Sequence, residues 1–188
     1  MKTAKIKRMV GIALMSAIVV VMQLVGSFIR FGPVSVSLVL IPIVVGAAMY
    51  GPSAGAVLGG VFGIVVLTQP DTAAFFGISV IGTVITVMGK GILAGMACGF
   101  VYKLLSGLNR YVAMLCAAIV CPFVNTGVFI ACMMTFFMDV LTAWADGGEI
   151  VAYVLSGLVL CNFVPELIIN VIFSPASARI AQTVSKGM

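Results

Sequence analysis

Histidine is absent from this 188-residue chain. That removes Ser-His-Asp triads, histidine metal sites and imidazole proton relays in one step. Acidic residues are scarce, five against ten basic ones. Four of them, Asp71, Asp139, Asp146 and Glu149, are scattered over separate loops, so no carboxylate cluster for a metal is expected. The five cysteines, Cys98, Cys116, Cys121, Cys132 and Cys161, lie in apolar segments without a Cys-x-x-Cys pair. They read as small buried hydrophobes rather than as a disulfide or metal framework. A phosphate loop is missing too: Gly89-Lys90-Gly91 lacks both the Ser/Thr after lysine and the glycine that should stand before Gly89 with four residues between. No Gly-x-Ser-x-Gly stands at a suitable depth for a nucleophile. An intramembrane enzyme therefore has little support, and no cofactor is expected.

What the chain has in abundance is apolar surface. Hydrophobic residues make up 63% and charged residues 8%, against soluble averages of roughly 45–50% and 25%. The expected class is an all-α integral membrane protein. A helix crosses a bilayer with about 20 residues, so the length suits about six spans with short loops in a single membrane domain. The apolar runs place them at about 9–28, 38–50, 52–67, 80–105, 111–136 and 150–173. The basic start followed by an apolar run is similar to a signal peptide. The run is nevertheless long enough to span and has no small-residue cleavage site, so it is kept as the first helix. Residues 30–37 alternate Ser and Val as a short extended loop would, 68–79 read as a polar and aromatic loop, 139–149 as an acidic loop, and 174–188 as a tail.

The organising stretch is 38–67, thirty residues without a charge, broken once at Gly51-Pro52. That pair favours a turn, and proline suits the first turn of a new helix. Gly51, Gly55, Gly59 and Gly63 then recur every four residues, a smooth ridge that lets a neighbouring backbone approach closely. The expectation is a tight hairpin of two short helices.

Charge orients the spans. With the N-terminus inside and six crossings, Lys2, Lys5, Lys7, Arg8, Lys103, Arg110, Arg179 and Lys186 fall on the cytoplasmic side. These are eight of the ten basic residues, which satisfies the positive-inside rule. The net charge of +5 thus reports topology, and no nucleic-acid partner is expected.

Lys90 and Glu166 stand inside spans, where a charge costs on the order of 2.5–3.5 kcal/mol and normally faces a bundle interior or a water-filled cavity. Lys90 lies thirteen residues before Lys103, and Glu166 thirteen before Arg179. At about 1.5 Å per residue, both sit roughly 20 Å above those basic anchors. Asn125 lies fifteen residues beyond Arg110, and Asn162 one turn before Glu166. These groups share one level on the last three spans, and Asn125-Thr126 follows Pro122 while Asn162 and Glu166 flank Pro165. Prolines free backbone carbonyls, which is tolerated at membrane depth where a cavity is lined. The reading is a small-molecule pocket open to the outside; a purely structural Lys90–Glu166 ion pair is the alternative. Asn170 reads as a packing hydrogen bond.

In these features the chain resembles the substrate-binding S-components of energy-coupling factor (ECF) vitamin transporters. Ala13-x-x-x-Ala17 is similar to that family's helix 1 patch, and 41–52 with the glycine ridge is similar to its helix 2–3 hairpin. The base on the fourth span and the Asn/Pro/Glu cluster on the sixth resemble the region where members hold their vitamin. The resemblance implies a high-affinity binding subunit in a bacterial plasma membrane. It also implies docking of a transmembrane coupling subunit on Ala13 and Ala17, two partner ATPases, and toppling in the bilayer to deliver substrate. Lys90, joined by Arg30 from the first loop, would suit a carboxylate; Asn125, Thr126, Asn162 and Glu166 would suit hydroxyls and amides. That pattern favours a small mono-anionic vitamin such as pantothenate. Riboflavin or a folate would need stacking surfaces, for which Phe75, Phe76, Phe123 and Trp144 are available. The rival class is an ion-coupled secondary carrier or channel with Lys90 and Glu166 as coupling groups.

Overall fold

In a computed structural model, residues 2–26, 30–31, 34–35, 38–145 and 149–187 are described. Helix α1 (Lys2–Gly26) is followed by two-residue strands β1 (Arg30–Phe31) and β2 (Val34–Ser35). They pair antiparallel, Arg30 with Ser35 and Phe31 with Val34. Then come α2 (Leu40–Tyr50), α3 (Pro52–Leu67), α4 (Pro70–Phe76), α5 (Val80–Leu105), α6 (Arg110–Phe136) and α7 (Met138–Trp144). Last is one continuous helical rod, made of α8 (Ile150–Tyr153), a π-helical segment (Val154–Phe163) and α9 (Val164–Gly187). Apart from the two-residue ladder and the short turns between elements, the described chain is helical. Four stretches, Lys5–Gly26, Val80–Leu105, Arg110–Phe136 and Ile150–Val184, are long and apolar enough to cross a membrane, and α2 and α3 are shorter apolar helices. The chain is an integral, multi-pass membrane protein.

The break at Gly51 follows from backbone geometry. Gly51 has φ 90°, a left-handed value that glycine alone adopts cheaply, and its N–H closes α2 on the Ala47 carbonyl at 2.9 Å. Pro52 then opens α3 at the position where a missing N–H costs nothing. Arg8 of α1 ties this turn down, donating from Nη2 to the Tyr50 carbonyl at 2.9 Å and to Ser53 Oγ at 3.0 Å.

The glycine ridge of α3 packs against α5, which carries a ridge of its own. A Cβ on Gly55 would meet the Gly95 carbonyl, and one on Gly59 would meet the Gly91 carbonyl; the converse substitutions clash in the same way. Gly63 lies against Val87 and Met88. This antiparallel register sets which residue of α3 stands beside which residue of α5.

Three local readings differ from the sequence expectation. The stretches 68–79 and 139–149 hold the short helices α4 and α7; Pro70 sits in the first turn of α4, where proline is pre-organised for a helix. Helix α1 starts at Lys2 rather than near 9, since no breaker separates the basic turn from the apolar run. The last rod continues through Pro175 to Gly187 rather than ending at 173. Proline at 175 cannot donate to the Val171 carbonyl, but Ser174 Oγ donates to that same oxygen at 2.8 Å. Beyond it Ala178 and Ala181 are buried in the main core, which holds the helix on course. Upstream, Pro165 lacks its N–H as well, and just before it the Val164 N–H reaches back to Val159. A five-residue ladder of this kind accommodates such a defect.

Two apolar clusters form. The larger gathers Val19, Leu40, Ile43, Leu58, Phe62 and Met114. The smaller gathers Met133, Phe137, Leu141 and Leu158 around α7. Between them lies the polar interior.

Candidate functional site

A cavity of about 90 Å³ opens between these clusters. By this measure one water needs roughly 10–15 Å³, so the space takes several waters or one small organic molecule.

Its most polar part is built by α5, α6 and the last helical rod. Lys90 comes from α5, Asn125 and Thr126 from α6, Asn162 from the π-helical segment and Glu166 from α9, and all five line the cavity. The Lys90 ammonium lies 5.6 Å from the ring centre of Phe62 and 5.0 Å from that of Phe129, within the range of cation–π attraction. Glu166 is only 1% exposed and attracts Lys90 electrostatically. One turn on, Asn170 Nδ2 donates to the Glu166 backbone carbonyl at 2.8 Å, a bond within its own helix rather than the packing bond expected of it. Asn125 Oδ1, Thr126 Oγ1 and Asn162 Oδ1 are buried and have no hydrogen-bond partner among the described residues. A buried acceptor left in that state costs about 1–3 kcal/mol. Three of them around one cavity, beside a cation, make a surface suited to a polar anionic guest.

The rest of the wall was not read from the sequence. Thr86 and Thr83 stand one and two turns from Lys90 on the same face of α5, and their hydroxyls donate to the Gly82 and Ser79 carbonyls at 2.7 Å each. Gln23 of α1 and Gln69 between α3 and α4 line the cavity side by side, joined from Gln23 Nε2 to Gln69 Oε1 at 3.2 Å. Phe62, Phe129, Met133 and Phe137 complete the apolar lining. The sequence did carry one usable signal, the 83–86–90 spacing, which puts two hydroxyls on the helical stripe of Lys90.

Of the aromatic residues weighed for stacking, Phe75 lines the cavity, with its ring edge-on to Phe137 at 5.2 Å and to Trp144 at 5.8 Å. Trp144 stands behind it, outside the lining. Phe123 is 66% exposed and packs edge-on to Phe163 at 6.0 Å, away from the cavity, and Phe76 is not among the lining side chains. The side chain of Arg30 lies outside the described part of the structure. Ala13 and Ala17 are exposed on α1, flanked by Val10, Leu14 and Val21, which are exposed too. Among the described residues no three His, Cys, Asp or Glu side chains gather as a metal site.

Comparison with curated proteins and with solved structures returned no match. Residues 7–177 match the family model described as the substrate-specific component of ECF transporters. The match spans most of the chain, which therefore belongs to the ECF substrate-specific components, substrate-binding transporter subunits whose ATP is hydrolysed by partner proteins rather than by themselves.

Proposed function

We propose that this chain is the high-affinity vitamin-binding subunit of an ATP-driven importer in a bacterial plasma membrane, with pantothenate as the favoured substrate. The carrying observation is the cavity itself, where one ammonium stands beside three buried, unpartnered polar atoms of Asn125, Thr126 and Asn162. A carboxylate would sit at Lys90, and hydroxyl or amide groups would donate to those acceptors. Glu166 keeps the charge of the site balanced or accepts from the ligand. In this reading the whole chain is one six-helix membrane domain with both ends in the cytoplasm, and α2 and α3 count as the two short crossings.

The exposed small-residue face at Ala13 and Ala17 supports docking of a transmembrane coupling subunit, which works together with two ATPases. Small residues let another helix approach closely. Replacing both alanines by leucine should reduce ATP-driven uptake by the full complex severalfold while vitamin binding to the isolated chain survives. Loss of isolated binding would place the two residues in the fold instead.

The energy source is tested in proteoliposomes. The purified chain should bind the vitamin yet fail to concentrate it, and uptake should appear once the coupling subunit and ATPases are added with ATP. Accumulation driven by an ion gradient through this chain alone would favour the secondary carrier, with Lys90 and Glu166 as its coupling groups.

A further inference from the structure

We propose that the amides of Gln23 and Gln69 form a second ligand subsite, which reads a hydroxyl or amide group about 10 Å from the carboxylate held at Lys90. The inference rests on the proposed function and adds the shape of the substrate: an elongated monocarboxylate with an apolar waist and a hydrogen-bonding far end.

Both glutamines are nearly inaccessible to outside solvent, at 3% and 9% exposure, yet both line the cavity. Their mutual bonds leave capacity over. Gln23 Nε2 donates to Gln69 Oε1 at 3.2 Å, and Gln69 Nε2 donates to the Gln23 backbone carbonyl at 3.5 Å. A primary amide has two N–H groups and two acceptor lone pairs. One N–H of each residue, and Gln23 Oε1, therefore have no partner among the described residues. A guest in the cavity can use that capacity.

The distance to Lys90 follows from the register of α3 on α5. Gly59 stands against Gly91 and Gly55 against Gly95, so the end of α3 at Leu67 lies beside Thr83. Thr83 is seven residues from Lys90, about 10 Å along a helix, and Gln69 follows Leu67 by two residues. Between the two ends the wall is mostly apolar, formed by Phe62, Val66, Val87 and Phe129; Thr86 also lines it, with its hydroxyl already donating to the Gly82 carbonyl. A molecule filling this space is polar at both ends and greasy in the middle.

The experiment compares two probes by calorimetry on the whole chain in detergent: pantothenate, and N-pivaloyl-β-alanine, which keeps the carboxylate, the amide and a bulky methyl group but has no hydroxyls. Gln23→Leu and Gln69→Leu should each weaken pantothenate about tenfold and leave the hydroxyl-free probe unchanged. Lys90→Ala, run in parallel, should weaken both probes. If Gln69→Leu does not fold, as judged by its melting curve, Gln69→Asn shortens the amide by one methylene and should give the same split between probes. Equal losses for both probes, or no loss with either, would overturn the second subsite while leaving the Lys90 reading intact. A wild-type chain that binds neither probe would overturn the pantothenate assignment and this inference with it.

Discussion

Replacement of Lys90 by alanine is expected to weaken binding of a carboxylate-bearing vitamin by roughly ten- to 150-fold, the equivalent of losing one charged hydrogen bond at about 1.5–3 kcal/mol. Among the described residues Lys90 is the cation that lines the cavity, and the two rings beside it, Phe62 and Phe129, offer no charge to a carboxylate. Its removal also strips Glu166 of an attractive charge, so the variant should melt lower than wild type. Glu166→Gln separates the remaining roles. If Glu166 only balances Lys90, the apo protein should lose stability and regain part of it when an anion binds. If Glu166 accepts a bond from the ligand, affinity should fall while apo melting changes little. The double variant Lys90→Ala/Glu166→Gln should then recover stability without recovering binding. Calorimetric titration beside thermal melting reads all of these, and unchanged affinity in both single variants would remove the cavity from consideration as the binding site.

Gly59→Val should damage the fold more than any change in the cavity wall. Its Cβ would fall on the Gly91 carbonyl, and Gly95→Val would fall on the Gly55 carbonyl in the same manner. These obstacles are backbone atoms, which cannot rotate away, so α3 and α5 must separate along their whole contact. Overpacking typically costs about 1–3 kcal/mol and occasionally more, or on the order of 10 °C in melting temperature for a chain of this size. Because Phe62, Val87 and Lys90 lie on these same two helices, binding should fall with stability. Gly89→Ala is the control: nothing lies within 4 Å of its missing Cβ, and it neighbours Lys90 in sequence. Melting in detergent that drops equally for Gly59→Val and Gly89→Ala would contradict close packing of the ridges.

Hydropathy and local spacing carried a good deal of this. The lack of histidine, the long apolar runs and the Gly51-Pro52 break are properties of short windows, and their consequences are local: helices, a turn, a smooth ridge. That Lys90, Asn125, Asn162 and Glu166 come together around one cavity agrees with residue counts along the helices, taken from the basic residues at their ends. The end of the last span at 173 was not legible: the helix runs on through Pro175, where the neighbouring Ser174 hydroxyl donates to the Val171 carbonyl that the ring cannot serve.

The sequence by itself determined that this is a helical membrane protein, that α2 turns into α3 at Gly51, and that a charged residue with amide neighbours lies within its spans. Tertiary structure alone decided which surface meets the glycine ridge, namely Gly91 and Gly95 of α5. It also placed Lys90 between Phe62 and Phe129, and it joined Gln23 to Gln69 side by side on the cavity wall. The physical reason is range. Period and composition determine what one helix presents on each face, whereas a pair 46 positions apart, as Gln23 and Gln69 are, meets only once the packing of all the intervening helices has set their register.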